Sequence, residues 1–310
     1  MTRLSLPAQG HLAMLAFSAL VAGSFSLGAR VANQIDPAAL TLVRFALAAV
    51  AMAVLAQAGP GFARAHFRAS WRWGLLGAIY AIYFVLMFEG LKTASAVSTA
   101  AVFTLSPLLS AGIGWLLLRQ VTTARMGLAL GVGAIGALWV IFRADLAALL
   151  RFELGRGEAI YFFGCIVHAA LPAVMKLTSR GEPQLVATTL LLCGGFAVLL
   201  PWGLAPALAT DWSALSPLVW GTIAYVALIA SGATAFLLAW ASHRLPGAKV
   251  MAYTYLVPSW VIGWELALGA NAPPILVLGG IALTIAALLM LLKDETITPS
   301  PVQTAPRETG

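Results

Sequence analysis

Few side chains in this sequence can do chemistry, and most of those lie inside long apolar runs. Arg44 stands eight residues into the run that opens at Asp36-Pro37, ~12 Å deep at helical rise. A charge at that depth costs at least ~2.5–3.5 kcal/mol on insertion scales, so it needs a reason. It either draws a carboxylate or serves the structure, snorkelling or donating to backbone carbonyls. His168 is the one titratable group near the middle of its run, on one helical face with Cys165 and Pro172. An imidazole there meets a solute or a proton, or makes an interhelical hydrogen bond. Tyr80 with Tyr83, Thr99 with Phe103, and Ser231 with Thr234 are each spaced three or four residues apart, so each pair shares a face. Together with Tyr253 they offer rings that can enclose an apolar side chain and hydroxyls that can bond an ammonium or a carboxylate. For any one of them the alternative is plain: Ser and Thr bond their own helix carbonyls, and Tyr fills interfacial gaps. Glu89 and Lys92 are three apart and set to pair.

Other chemistries are missing. There is no HExxH, GxSxG or GxxxxGK[ST] motif, and the loops are too short for a catalytic domain. The four histidines, at 11, 66, 168 and 243, fall in four separate segments without ligand spacing, and the two cysteines cannot frame a metal site. The expectation is therefore no enzyme, no cofactor and no metal. Cys165 and Cys193 read as bulk core residues. The basic residues lie scattered in short loops, which offers nucleic acid no surface.

The elements that must position these side chains follow from composition. Charged residues make up 9% of the chain and hydrophobic ones 61%, where a soluble domain carries about 25% charge. This predicts an all-α polytopic membrane protein. Ten runs are long enough to cross a bilayer core, roughly 11–30, 36–57, 72–91, 95–118, 123–142, 158–177, 184–202, 215–241, 247–268 and 272–292. The N-terminal run reads as the first membrane helix rather than a cleaved signal. Residues 143–157 form a connector with room for an amphipathic interfacial helix, and 293–310 reads as a disordered tail.

The chain also echoes itself. Residues 89–118 return as 240–268, aligned on Pro107 and Pro258 at a shift of 151. Ile113-Gly114-Trp115 recurs as Ile262-Gly263-Trp264, Trp73-Gly74 as Trp220-Gly221, and Asp36-Pro37 as Glu182-Pro183. With both termini cytoplasmic, eleven Lys and Arg fall inside and five outside, as membrane orientation by positive charge requires. Five crossings per half is odd, so the second half enters from the opposite face. The expected architecture is two inverted five-helix repeats, 1–142 and 158–292, around a central cavity. No carboxylate lies near the middle of the first, fourth, sixth or ninth run, which points to an uncharged site.

Several of these stretches resemble the drug/metabolite transporter superfamily in its ten-helix EamA-type branch. Asp36-Pro37 followed by Arg44-Phe45 is similar to its entry to the second helix. Ala94-Ser95-Ala96 through Leu105-Ser106-Pro107-Leu108 resembles its fourth-helix signature, followed by Gly127, Gly131 and Gly136. Gly247-Ala248 through Pro258 looks like a weaker second copy. Arg119-Gln120 departs from the family's Gly-Glu, and Ala22-Gly23-Ser24 from its opening Trp-Gly. The resemblance implies helices 1, 3, 4, 6, 8 and 9 around the cavity, and export of small metabolites.

The combined expectation is an alternating-access transporter, a monomer in the plasma (inner) membrane. It exports neutral or zwitterionic metabolites, amino acids including aromatic ones. Its site would be Tyr80, Tyr83, Thr99, Phe103, His168, Ser231, Thr234 and Tyr253. The alternatives are a proton-coupled exporter of hydrophobic drugs and a passive channel or sensor.

Overall fold

The computed structural model describes residues 5–119, 123–151, 153–242, 244–245 and 247–293. Nearly all of the expected tail lies outside them. Among the described residues eight helices are long and apolar enough to cross a membrane: α1 Leu6–Val31, α2 Pro37–Ala58, α3 Trp71–Leu91, α4 Ala96–Leu118, α5 Ala124–Ile141, α6 Arg156–Thr178, α7 Gln184–Ala209 and α8 Pro217–Leu238. Two further rods follow. α9 is built of Gly247–Ala252, a 3-10 turn Tyr253–Leu256 and Val257–Ala267, and α10 is Val277–Leu292. The outer face is studded with exposed Leu, Val, Phe and Trp, among them Val50, Leu116, Phe163, Trp202 and Leu208. Such a surface is stable only against lipid, so this is a multi-pass integral membrane protein.

Helix starts obey local chemistry. Asp36 accepts from the Ala38 and Ala39 amides and Pro37 follows at the first helical position. Ser95 caps α4 through the Ser98 amide, and Thr123 caps α5 through that of Met126. Glu182 does not repeat the capping role of Asp36, because its carboxylate is taken by Arg72 at 2.7 Å. The connector holds one short helix, Leu146–Leu150, capped by Asp145.

Three rods expected to be continuous are broken, each just before a proline. α4 opens at Thr104–Leu105 ahead of Pro107, and α9 loosens over Tyr253–Leu256 ahead of Pro258. Proline lacks an amide and clashes with the carbonyl four residues back. In both copies a threonine hydroxyl at the break bonds back to the carbonyl three residues before it: Thr104 donates to Ala101 and Thr254 to Met251, at 2.7 and 2.8 Å. α6 breaks at Ala169–Ala170 before Pro172, and Ser110 of α4 donates to the Ala169 carbonyl. α7 instead runs to Ala209 with Pro201 and Pro206 inside it, beyond the expected end at 202.

Close packing uses glycine where helix backbones touch. A Cβ on Gly77 of α3 would collide with the Gly195 backbone of α7, and one on Gly136 of α5 would stand 2.7 Å from the Gly280 carbonyl of α10. α8 does not work this way, since a Cβ on Gly221 would meet open space. Cys165 is buried, but Cys193 lies exposed on the lipid-facing surface rather than in the core.

Candidate functional site

Two ends of the bundle need names. The entry end is where α1, α3 and α7 begin; the far end is where α1, α3 and α9 finish. At the far end Arg30 of α1 pairs with Glu265 of α9 at 2.8 Å, their side chains 25% and 19% exposed. Ser98 of α4 donates to Glu158 of α6 at 2.7 Å, and the Tyr83 and Tyr161 hydroxyls share a hydrogen bond of 2.8 Å. Phe25, Phe103, Tyr83 and Tyr161 form a ring cluster just beneath, with centroids 5.7–6.2 Å apart. Each of these polar contacts joins α1–α5 to α6–α10. The Glu89–Lys92 pair also forms, at 2.7 Å, but within α3 and partly exposed.

A cavity of about 350 Å³ lies under this plug and extends toward the entry end, as far as Trp73 and Gln184. Six of the eight expected residues line it: Tyr80 and Tyr83 of α3, Phe103 of α4, His168 of α6, and Ser231 and Thr234 of α8. Tyr83 stacks on His168 with centroids 4.2 Å apart, and Tyr80 stacks on Phe45 at 5.8 Å. Two residues fall elsewhere. Thr99 is fully buried and donates to the Ser95 carbonyl, as a helical threonine commonly does. Tyr253 turns to α1, its hydroxyl 2.9 Å from His11 Nδ1, and Thr254 takes the lining position on α9. The 3-10 turn sets that register, where the sequence predicts an unbroken helix.

The centre is not uncharged. Arg44 lines the cavity and is fully buried. Its Nε and Nη2 donate to the Ser231 hydroxyl at 3.1 and 3.0 Å, and its Cζ sits 3.5 Å over the Phe84 ring. Ser231 in turn donates to the Val226 carbonyl, five residues back, because α8 is a π-helix over Tyr225–Ala233. Among the described residues the cavity lining contains no Asp or Glu.

α2 and α7 line the cavity too, α2 through Arg44 and α7 through Gln184, Ala187, Thr188 and Leu191. Sequence reasoning passed over α7, although that i, i+3, i+4, i+7 spacing with two polar members was visible. Phe84 and Met87 extend the Tyr80–Tyr83 face by the same rule. Among the described residues no group of three His, Cys, Asp or Glu side chains could hold a metal ion.

The chain is 26% identical over 223 residues to the uncharacterized transporter YyaM of Bacillus subtilis (strain 168), covering 71% of this chain and 73% of that one. A solved crystal structure superposes with a TM-score of 0.63 over 93% of this chain and 96% of its own, at 17% identity, which shows a shared fold. The model of the EamA-like transporter family matches twice, at residues 8–142 and 155–292. With those two matches this chain belongs to the EamA-like transporters of the drug/metabolite transporter superfamily.

Proposed function

We propose that this membrane transporter moves small metabolites of amino-acid size by alternating access, with ten crossings arranged as two inverted five-helix repeats. The observation that carries the reading is the cavity itself: it is lined from both halves, plugged at the far end by contacts between them, and extended toward the entry end. Inversion is supported by the matching breaks before Pro107 and Pro258, since helices that bend at equivalent points give each half a hinge. The entry end is cytoplasmic because Arg64, Arg68, Arg72 and Arg180 gather there. The direction is export from the cell, across the inner membrane, by a monomer. Rings from Tyr80, Tyr83, Phe103 and His168 suit an aromatic or large apolar side chain, while Ser231, Thr234 and Thr188 offer hydroxyls to its polar end. A lipophilic cation would find no carboxylate in this lining, which disfavours the drug exporter.

Counterflow in proteoliposomes, run with amino acids of graded side-chain size, tests the reading. Phe103→Ala should reorder the preference toward larger solutes and Tyr253→Ala should not. Equal relative rates for every solute in both variants, from folded protein, would leave these rings as packing only.

A further inference from the structure

A guanidinium has five N–H donors, and Arg44 spends two of them on a single hydroxyl. Nη1 is buried with no hydrogen-bond partner. Among the described residues no carboxylate pairs with it, whereas Arg30 has Ser26 and Glu265 and Arg72 has Thr178 and Glu182. Half-buried Arg244 also leaves its Nε unpartnered, but its Nη1 donates to the Trp240 carbonyl, and it does not line the cavity. Ser231 cannot offer Arg44 more, because its one proton goes to Val226 and its lone pairs already accept twice. The face of Phe84 offsets part of the charge but accepts no second bond in the guanidinium plane. An uncompensated buried cation of this kind is costly, and its cost is removed by an anion that arrives and leaves.

We infer that Arg44 anchors the carboxylate of the transported solute, and that the carboxylate, not an amino group, is the feature the cavity requires. This deepens the reading of the cavity as a solute path and rests on it. Among its described residues the lining holds one cation and no carboxylate, so a solute carboxylate neutralises the buried guanidinium. A 2-oxo acid leaves the loaded centre neutral, and a zwitterionic amino acid leaves only its own ammonium as net charge. A forked donor meets a planar carboxylate with two parallel bonds, a geometry that neither an amide nor an ester reproduces with charge. The remaining lining needs no ammonium partner. Its rings and aliphatic side chains take the apolar body, and His168 Nδ1, also buried and unpartnered, is free for a neutral polar group. The class of solute is therefore small organic monocarboxylates, with amino acids accepted as one case and 2-oxo acids as another.

The test uses full-length protein and four probes of one shape: L-phenylalanine, phenylpyruvate, L-phenylalaninamide and 2-phenylethylamine. Competition binding in nanodiscs and uptake into proteoliposomes are read in parallel. The two carboxylates should compete ~10- to 100-fold better than the amide and the amine, the range of a charge-assisted hydrogen bond converted to affinity. Arg44→Lys should keep the order with weaker binding, and Arg44→Gln should bring the acid-to-amide ratio close to one. Should Arg44→Gln fail to fold, the wild-type panel still decides. Amide or amine competing as well as the acids overturns the anchor, as does a folded Arg44→Gln that keeps the ratio. Uptake that ignores the carboxylate removes the anchor and leaves the transport reading standing. Binding that follows the carboxylate without any uptake removes the transport reading and leaves the anchor.

Discussion

Glu265→Gln should release the far end of the bundle, and the size of the effect can be worked from the pair it breaks. Arg30 Nη1 lies 2.8 Å from Glu265 Oε1 and also donates to the Ser26 carbonyl, so the guanidinium is held on α1 while it reaches α9. Exposed ion pairs contribute about 0–1 kcal/mol, and breaking a fully buried one costs about 3–5 kcal/mol. With side chains 25% and 19% exposed, this pair falls between, at about 1–2 kcal/mol. If the pair exists only while the far end is closed, its loss raises the far-open population roughly 5- to 30-fold. Ser24→Cys is the reporter, in a chain with Cys165 and Cys193 replaced, because Ser24 lines the cavity beneath the plug. An impermeant thiol reagent applied to the far side in oriented vesicles should label it faster by that factor. Arg30→Gln should match Glu265→Gln, and the double variant should add nothing further. Unchanged labelling in folded protein, or single effects that sum in the double variant, would refute the argument.

Two further outcomes follow from contacts away from the cavity. Burial raises the Glu182 carboxyl, but the Arg180 amide and the Arg72 guanidinium outweigh it and hold the pKa below its ordinary 4.5. Its contribution is then present above pH 4.5 and lost as pH falls through the lowered value, so acid should lower the wild-type melting temperature by an increment that Glu182→Gln lacks. Gly77→Ala should destabilise by at least ~1–3 kcal/mol in detergent unfolding, because its methyl meets the Gly195 backbone rather than a side chain that can turn aside; Gly221→Ala, which meets open space, is the matched control expected to be near neutral.

Much of the architecture was legible because the bilayer simplifies the code. Apolar runs of about 20 residues, bounded by Asp36-Pro37 or Ser95, announce helices with little ambiguity. Pro107, Pro172 and Pro258 stand inside runs that read as continuous helices. Where each rod opens, and that Thr104 and Thr254 bond back across two of the breaks, depends on the shape the backbone takes after the clash. Tyr80, Tyr83, Phe103, His168, Ser231 and Thr234 were found by spacing, which reports what shares a helix face. Spacing is blind to which neighbour that face meets. Thr99 therefore looked no different from Phe103, and Tyr253 no different from Thr254. Arg44 was conspicuous, but its setting was not: nothing in a one-dimensional pattern says that Ser231, 187 residues away, would hold two of its donors and leave Nη1 free.

The π-turn of α8 has a consequence for directionality. Two perfectly equivalent inverted repeats would make a transporter whose two facing conformations are related by a two-fold rotation and equal in energy, idling without preference. In α3, the equivalent rod of the first half, the helix is regular from Trp71 to Leu91, whereas α8 carries a π-turn over Tyr225–Ala233. In such a device that local asymmetry would lift the degeneracy at the very place where Ser231 accepts from Arg44 of the other half. A duplicated gene begins with a balanced device, and substitutions that loosen one copy's helix by a single residue tip it. Resting orientation would then be a property of the differences between the halves, and shortening α8 by one residue within 225–233 would be the smallest edit able to reset it.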